Sequence, residues 1–108
     1  MARIEILGSG RIDERESAFP QAVQLPNGDI LCSYSNREGQ YASGGTDWSR
    51  STDGGESWQV QGTLLPGTSD PPTSNFLKLT LSMDGRTIYA YGSRTIGGVD
   101  AAFGHQVN

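Results

Sequence analysis

Residues 51–58 read Ser51-Thr52-Asp53-Gly54-Gly55-Glu56-Ser57-Trp58, and they fit the pattern Ser-x-Asp-x-Gly-x-Ser/Thr-Trp of a tight turn between two strands. Asp53 can accept hydrogen bonds from the backbone N–H groups that follow it, and Gly55 can adopt the positive φ that such a turn requires. Ser57 offers a further local hydrogen-bonding group, and Trp58 starts the next strand with a large apolar side chain. The stretch therefore predicts a strand–turn–strand unit.

Alternation of apolar and polar residues on both sides of this turn predicts further strands and no helix. The dipeptide Asn27-Gly28 is a strong hairpin signal, because both residues tolerate positive φ. One antiparallel meander of four strands follows from this pattern, with strands over Phe19–Leu25, Ile30–Ser35, Asp47–Ser51 and Trp58–Gln61.

The pattern starts again after a Pro- and Ser-rich stretch, Gly62–Ser74, which is predicted to be a loop. Strands are expected over Asn75–Leu81 and Thr87–Ser93, joined by a turn at Asp84-Gly85, and a third strand over Ala101–Asn108. When Asn27-Gly28 is placed on Asp84-Gly85, three further pairs coincide at a spacing of 57 residues, namely Leu31 with Ile88, Tyr34 with Tyr91, and Arg37 with Arg94. This internal repeat predicts two similar units.

The composition limits the class of protein. A chain of 108 residues with 34% hydrophobic residues is enough for one small domain. The net charge of -4 and the scattered Lys and Arg residues argue against a nucleic-acid partner. No apolar run approaches the ~20 residues of a membrane helix, and no signal-peptide core is present, so a cytoplasmic location and no membrane partner are expected, unless the chain is a fragment of a longer secreted protein. Cys32 is the single cysteine and is expected to be a small buried residue.

The stretch 51–58 resembles the Asp box, or BNR repeat, of the sialidase-type β-propellers, in which this motif is a structural turn. Residues Ala18–Leu31 are similar to the first strand pair of bacterial exo-sialidases. There an Arg-Ile-Pro motif supplies an arginine that holds the substrate carboxylate, whereas this chain has Ala18 in the place of that arginine, before Phe19-Pro20.

The resemblance implies an all-β fold built from antiparallel four-stranded meander blades. It divides the chain into an N-terminal segment over 1–14, which can form one short strand at Ile4–Leu7, a first blade with the Asp box over 15–61, and an incomplete second blade over 62–108. Two partial blades expose apolar faces and strand edges, so we expect either a fragment of a longer protein or a subunit that completes itself as a homo-oligomer. Three copies would supply the six blades of a sialidase.

Antiparallel strands place alternate connections on opposite rims, and the longer, more polar loops share the rim away from the Asp box. The resemblance implies that the acid/base residue of the family corresponds to Asp47, the only Asp between the first strand pair and the Asp box. The alternative for Asp47 is a solvated residue at the start of a strand. The other polar or aromatic candidates on this rim are Arg15, Glu16, Arg37, Glu38, Tyr41, Asp70 and Arg94.

Arg37, Arg94 and Tyr41 are the residues expected to bind a substrate, since Arg can hold a carboxylate through two hydrogen bonds. The two arginines could instead cap loop carbonyls. Tyr34 and Tyr91 are expected to pack between blades. No Cys/His or carboxylate cluster has metal-site spacing, so neither a metal nor a cofactor is expected.

Three functions agree with these features. The first is a glycan-processing propeller of the sialidase type, with Asp47 as general acid. The second is a non-catalytic module that binds a glycan or a protein through the loop-rich rim. The third is a truncated or rearranged gene product that folds by oligomerising and has kept no sialidase function. The substitution at Ala18 favours the second and third, and the sequence leaves open whether the protein is an enzyme.

Overall fold

The computed structural model is all-β, and it describes residues 5–6, 8–14, 17–36, 44–69, 72–96 and 106–107. These residues form two four-stranded antiparallel sheets, in the strand orders β1-β2-β3-β4 and β5-β6-β7-β8. The strands are β1 (Ser17–Gln24), β2 (Ile30–Asn36), β3 (Thr46–Ser51), β4 (Gln59–Leu65), β5 (Thr68–Ser69), β6 (Pro72–Leu81), β7 (Ile88–Ile96) and β8 (Gln106–Val107).

The two hairpin turns predicted from Asn-Gly and Asp-Gly are confirmed. In the first, Leu25 N donates to Asp29 O over 2.8 Å, and Gly28 has a φ of 95° that a side chain would strain. In the second, Ser82 N donates to Thr87 O over 2.8 Å, and Gly85 has a φ of 74°. Local turn chemistry therefore determines where the chain reverses.

Both hairpin turns lie at the same end of the molecule as the Asp box. Ile30, just after the first turn, is opposite Ser51, just before the Asp box. Arg50 also donates through Nε to Asp29 Oδ2 over 3.0 Å, which joins the first turn to the end of β3. The second hairpin turn approaches the first so closely that a Cβ at Gly85 would lie 2.9 Å from Pro26 Cγ. We call this end the turn end.

The prediction of a loop over Gly62–Ser74 is wrong. Strand β4 continues to Leu65, where it pairs with Thr46, and β6 begins at Pro72. The ladder between β3 and β4 has a register shift beside Gly62, whose φ of 151° accommodates the irregularity without ending the strand. Glycine here marks a bulge instead of a loop.

In the N-terminal segment, the described residues 5–6 and 8–14 form no strand. The remaining residues of the short strand expected at 4–7 lie outside the described part of the chain.

The contact between the two sheets is largely polar and centres on Asn75. Its side chain is 3% exposed and its Nδ2 donates to the carbonyl oxygens of Leu65 at 2.9 Å and Pro66 at 3.2 Å. Its Oδ1 accepts from Thr46 Oγ1 at 2.6 Å, and its backbone N donates to Gly44 O at 3.1 Å. One buried amide thus connects β6 to β3 and to the end of β4.

Strand β6 makes two more polar contacts with the first sheet. The hydroxyl of Ser33 donates to Leu77 O over 2.9 Å, and Leu77 N donates to Thr46 Oγ1 over 3.1 Å. Leu31 and Leu79, 3% and 8% exposed, belong to the apolar part of the core. Hydrophobic burial is therefore accompanied by hydrogen bonds that fix how β6 sits on β2 and β3.

The internal repeat at a spacing of 57 residues reproduces the order of the long strands in the two units but not the register between them. In the first sheet, Ser49 of the third strand pairs with Cys32 of the second strand. The residues 57 positions later are Gln106 and Tyr89, so the repeat predicts that these two residues pair. Gln106 pairs with Thr95 instead of Tyr89. β8 does lie beside β7, as expected for a third strand, and β5 is an additional edge strand beside β6.

Replacing Asn75 with Ala should lower the free energy of unfolding by about 2–3 kcal/mol, because buried carbonyls and a hydroxyl lose their partner. Urea denaturation followed by circular dichroism measures this change. The control is Gln61→Ala on the exposed side of β4, which should stay within about 0.5 kcal/mol of the parent. Equal effects of the two substitutions would contradict the role given to Asn75.

Candidate functional site

The Asp-box turn has the contacts that its residues predict. Asp53 Oδ1 accepts from Ser57 N at 2.9 Å and from the hydroxyl of Ser51 at 2.8 Å, and the hydroxyl of Ser57 donates to Asp53 Oδ2. Gly55 has a φ of 95°, and its N donates to Ser51 Oγ over 2.9 Å. The indole N–H of Trp58 donates to Gly55 O over 3.0 Å. Both carboxylate oxygens of Asp53 are therefore engaged within the turn.

These hydrogen bonds stabilise the ionised form of Asp53. The hydroxyl of Ser57, the backbone N–H of Ser57 and the hydroxyl of Ser51 together lower the pKa of Asp53 from 3.8 to about 2. Asp84 occupies a similar position in the second hairpin turn, where the Ser82 hydroxyl and the Arg86 N–H lower its pKa. In both turns the carboxylate organises the backbone, which is a structural task.

Part of the N-terminal segment packs against the Asp box. Gly10 approaches it so closely that a Cβ there would lie 2.6 Å from Glu56 O. A cleft of about 480 Å³ remains between the two, lined in part by Glu5, Ser9 and Glu56. Within the described part of the chain, no group of three or more His, Cys, Asp or Glu side chains is arranged to hold a metal ion.

Asp47 lies in β3 at the end of the sheet opposite the turn end, between Tyr34 of β2 and Thr63 of β4. It is 3% exposed, and its Oδ1 accepts from Thr63 Oγ1 over 2.7 Å. The alternative of a solvated residue at the start of a strand is therefore wrong. The carboxyl is held in place and covered, so a glycosidic oxygen could reach it only if neighbouring residues moved.

Arg94 is exposed on β7 at the same end as Asp47. It is opposite Asn75 in the β6–β7 ladder, and Asn75 accepts the hydrogen bond of Thr46, the residue before Asp47. The structure thus brings Asp47 and Arg94 to one rim, which we call the strand-end rim. The other candidates, Arg37 and Tyr41 together with Arg15, Glu16, Glu38 and Asp70, lie outside the described residues.

Sequence reasoning missed a hydrogen-bonded cluster around Tyr34. The phenol donates to Asp13 Oδ2 over 2.8 Å, and its oxygen lies 2.7 Å from Ser49 Oγ. Asp13 comes from the N-terminal segment, and no local pattern indicates that this segment folds onto the face of the first sheet. The cluster borders a cavity of about 240 Å³ that is also lined by Arg11 and Pro20.

The expectation that Tyr34 and Tyr91 occupy matching places between blades is wrong, because the ladders place Tyr91 where the first sheet has Ser33. Tyr34 is 3% exposed and packs within the protein, whereas Tyr91 is 56% exposed on β7. Cys32 is buried as expected, and burial raises the pKa of its thiol.

Comparisons of the chain with protein-family models, with curated proteins and with solved structures give no match. Separately, the described residues include no helix that is long and apolar enough to cross a membrane.

The lowered pKa of Asp53 should make the turn sensitive to acid. Because the folded-state pKa is below the usual 3.8, its contribution to stability is complete above about pH 4 and is lost as the pH falls toward 2. Asp53→Asn should therefore weaken the dependence of the unfolding free energy on pH between 4 and 2, as measured by urea titrations at several pH values. Glu56→Gln removes a charge from the same turn and should leave that dependence unchanged. If the unfolding free energy of the parent and of Asp53→Asn falls equally between pH 4 and pH 2, the acid sensitivity does not come from Asp53.

Proposed function

We propose that this chain forms two blades of a sialidase-type, Asp-box β-propeller and binds an acidic glycan through the strand-end rim, without hydrolysing it. The observation that carries the propeller assignment is the Asp-box turn, in which Asp53, Gly55 and Trp58 make the contacts that the motif requires. The antiparallel meander β1-β2-β3-β4 around this turn supports the same assignment.

The two ends of the molecule differ in what they offer a ligand. At the turn end the polar side chains of Asp53 and Asp84 bind their own backbone. At the strand-end rim Arg94 exposes a guanidinium group, which is suited to a sugar carboxylate. The buried Asn75 fixes β6, and Arg94 is opposite Asn75 on the neighbouring strand β7, so the strand beside Arg94 has rigid support, which favours selective binding.

The surroundings of Asp47 favour binding over hydrolysis. A general acid must reach the leaving oxygen within hydrogen-bonding distance, and Asp47 is covered and already bonded to Thr63. Ala18 also stands where the family has an arginine for the substrate carboxylate. Hydrolysis is the second candidate, and it is favoured by one observation: Asp47 follows Thr46, which is bonded to Asn75, and Asn75 is opposite Arg94, so Asp47 and Arg94 share a rim.

Binding is tested with sialyllactose, which carries a carboxylate, and with lactose, which carries no charge. Isothermal titration calorimetry should show binding of sialyllactose, weakened at least about tenfold in Arg94→Ala, which corresponds to ~1.4 kcal/mol. Arg86→Ala is the matched control, because Arg86 is an exposed arginine of the second hairpin turn at the opposite end. No binding of either sugar, or an equal loss in both variants, would contradict the proposal.

Hydrolysis is tested with a fluorogenic sialoside, on which the parent protein should show no turnover above the uncatalysed rate. Turnover that disappears in Asp47→Asn, while the variant keeps the melting temperature of the parent, would overturn the binding-only function and establish the second candidate. Turnover that persists in Asp47→Asn would show that another residue acts as the acid.

A further inference from the structure

Equivalent positions of the two units differ sharply in exposure. In the ladders between the first two long strands of each sheet, Leu31 and Ser33 of β2 occupy the places that Tyr89 and Tyr91 occupy in β7. Leu31 and Ser33 are 3% and 0% exposed, whereas Tyr89 and Tyr91 are 55% and 56% exposed. Large apolar side chains in β7 therefore face solvent where the same positions of the first sheet are covered. An exposed apolar surface of this kind marks a site of interaction.

The first sheet also shows what kind of element covers such a surface. Strand β6 lies against β2 and β3, with Leu77 bonded to Ser33 and Thr46. Phe76 of β6 meets the ring of Phe19 edge to face, with 5.3 Å between the ring centroids. The covering element is thus the first long strand of the following unit.

The counterpart of β6 in the first unit is β1, and β1 is exposed. At the spacing of 57 residues Phe19 corresponds to Phe76 and Ala22 to Leu79. Phe19 is 40% exposed and Ala22 is exposed, whereas Leu79 is 8% exposed. The chain therefore has an exposed strand, β1, that could cover another strand as β6 covers β2. It also has a strand, β7, that is not covered.

We propose that β1 of one copy of this protein packs on β7 of a second copy, and so repeats between chains the contact that β6 makes with β2 within the chain. The groove that would receive it has a volume of about 790 Å³ and is lined in part by Phe76, Lys78, Ala90 and Tyr91. Phe19 of the second copy would meet Phe76 in the way that Phe76 meets Phe19 within one chain.

The interface is heterologous, because each copy contributes β1 to one neighbour and β7 to the other. Such an interface continues from copy to copy until the rotation closes a ring. Three copies of two blades would close a ring of six. The assembly does not depend on the glycan, so a failure of sugar binding would leave it intact.

The test uses one substitution on each half of the interface. Ala22→Arg places a charge on exposed β1, and Tyr91→Arg places one on exposed β7 next to Lys78. Size-exclusion chromatography with light scattering should give the parent a mass of three times 11.6 kDa. Each variant should be monomeric, because the dissociation constant of the contact between copies should rise at least about tenfold. Met83→Arg, in the exposed second hairpin turn, is the control and should assemble like the parent.

Mixing the two variants separates a heterologous interface from a symmetric one. Each retains one intact half, so an equimolar mixture of Ala22→Arg and Tyr91→Arg should form a one-to-one dimer and nothing larger. Circular dichroism spectra equal to that of the parent show that both variants fold. The proposal would be overturned by a parent that stays monomeric at all concentrations, by assembly that only Tyr91→Arg disrupts, or by a mixture that remains monomeric.

Discussion

The buried amide of Asn75 is the constraint on which the arrangement of the two sheets depends. Its donor group is bonded to the carbonyls of Leu65 and Pro66, and its acceptor to the hydroxyl of Thr46. Because the buried Asn75 amide and Thr46 hydroxyl are costly to leave without partners, these bonds restrict how β6 packs against β3 and β4. That packing also determines the strand-end rim, since Arg94 is opposite Asn75 and Asp47 follows Thr46.

The contacts at the turn end of the sheets are structural. At the turn end, Asp53 and Asp84 accept hydrogen bonds from the backbone of their own turns. The ion pair of Arg50 with Asp29 joins the end of β3, just before the Asp box, to the first hairpin turn. Local strain occurs near the contact between the sheets, where Phe19 has a φ of 57°, unusual for a residue with a side chain. The edge-to-face contact with Phe76 helps to hold this conformation, so the bulge in β1 is tied to the packing of β6.

The sequence was sufficient for the features that local chemistry determines. Asn27-Gly28, Asp84-Gly85 and the Asp box need positive φ and short side-chain acceptors, and these requirements are visible residue by residue. The continuation of β4 through Gly62 was not predictable, because it depends on pairing with β3. The burial of Asp47 and the contact of Asp13 with Tyr34 also depend on residues distant in sequence. For the same reason the repeat could match Tyr34 to Tyr91 but could not indicate that only Tyr34 is covered.

The central claim is that a polar contact between Thr46 and Asn75 holds the two sheets together as one unit. A double-mutant cycle with Thr46→Val and Asn75→Ala, followed by urea denaturation, tests it most directly, since it isolates the coupling between the two side chains. We predict a coupling energy of about 1 kcal/mol or more, so that the double variant is less destabilised than the sum of the single variants. If the destabilisations of the two single variants add up to that of the double variant within about 0.3 kcal/mol, the claim is contradicted, and the sheets pack without this contact.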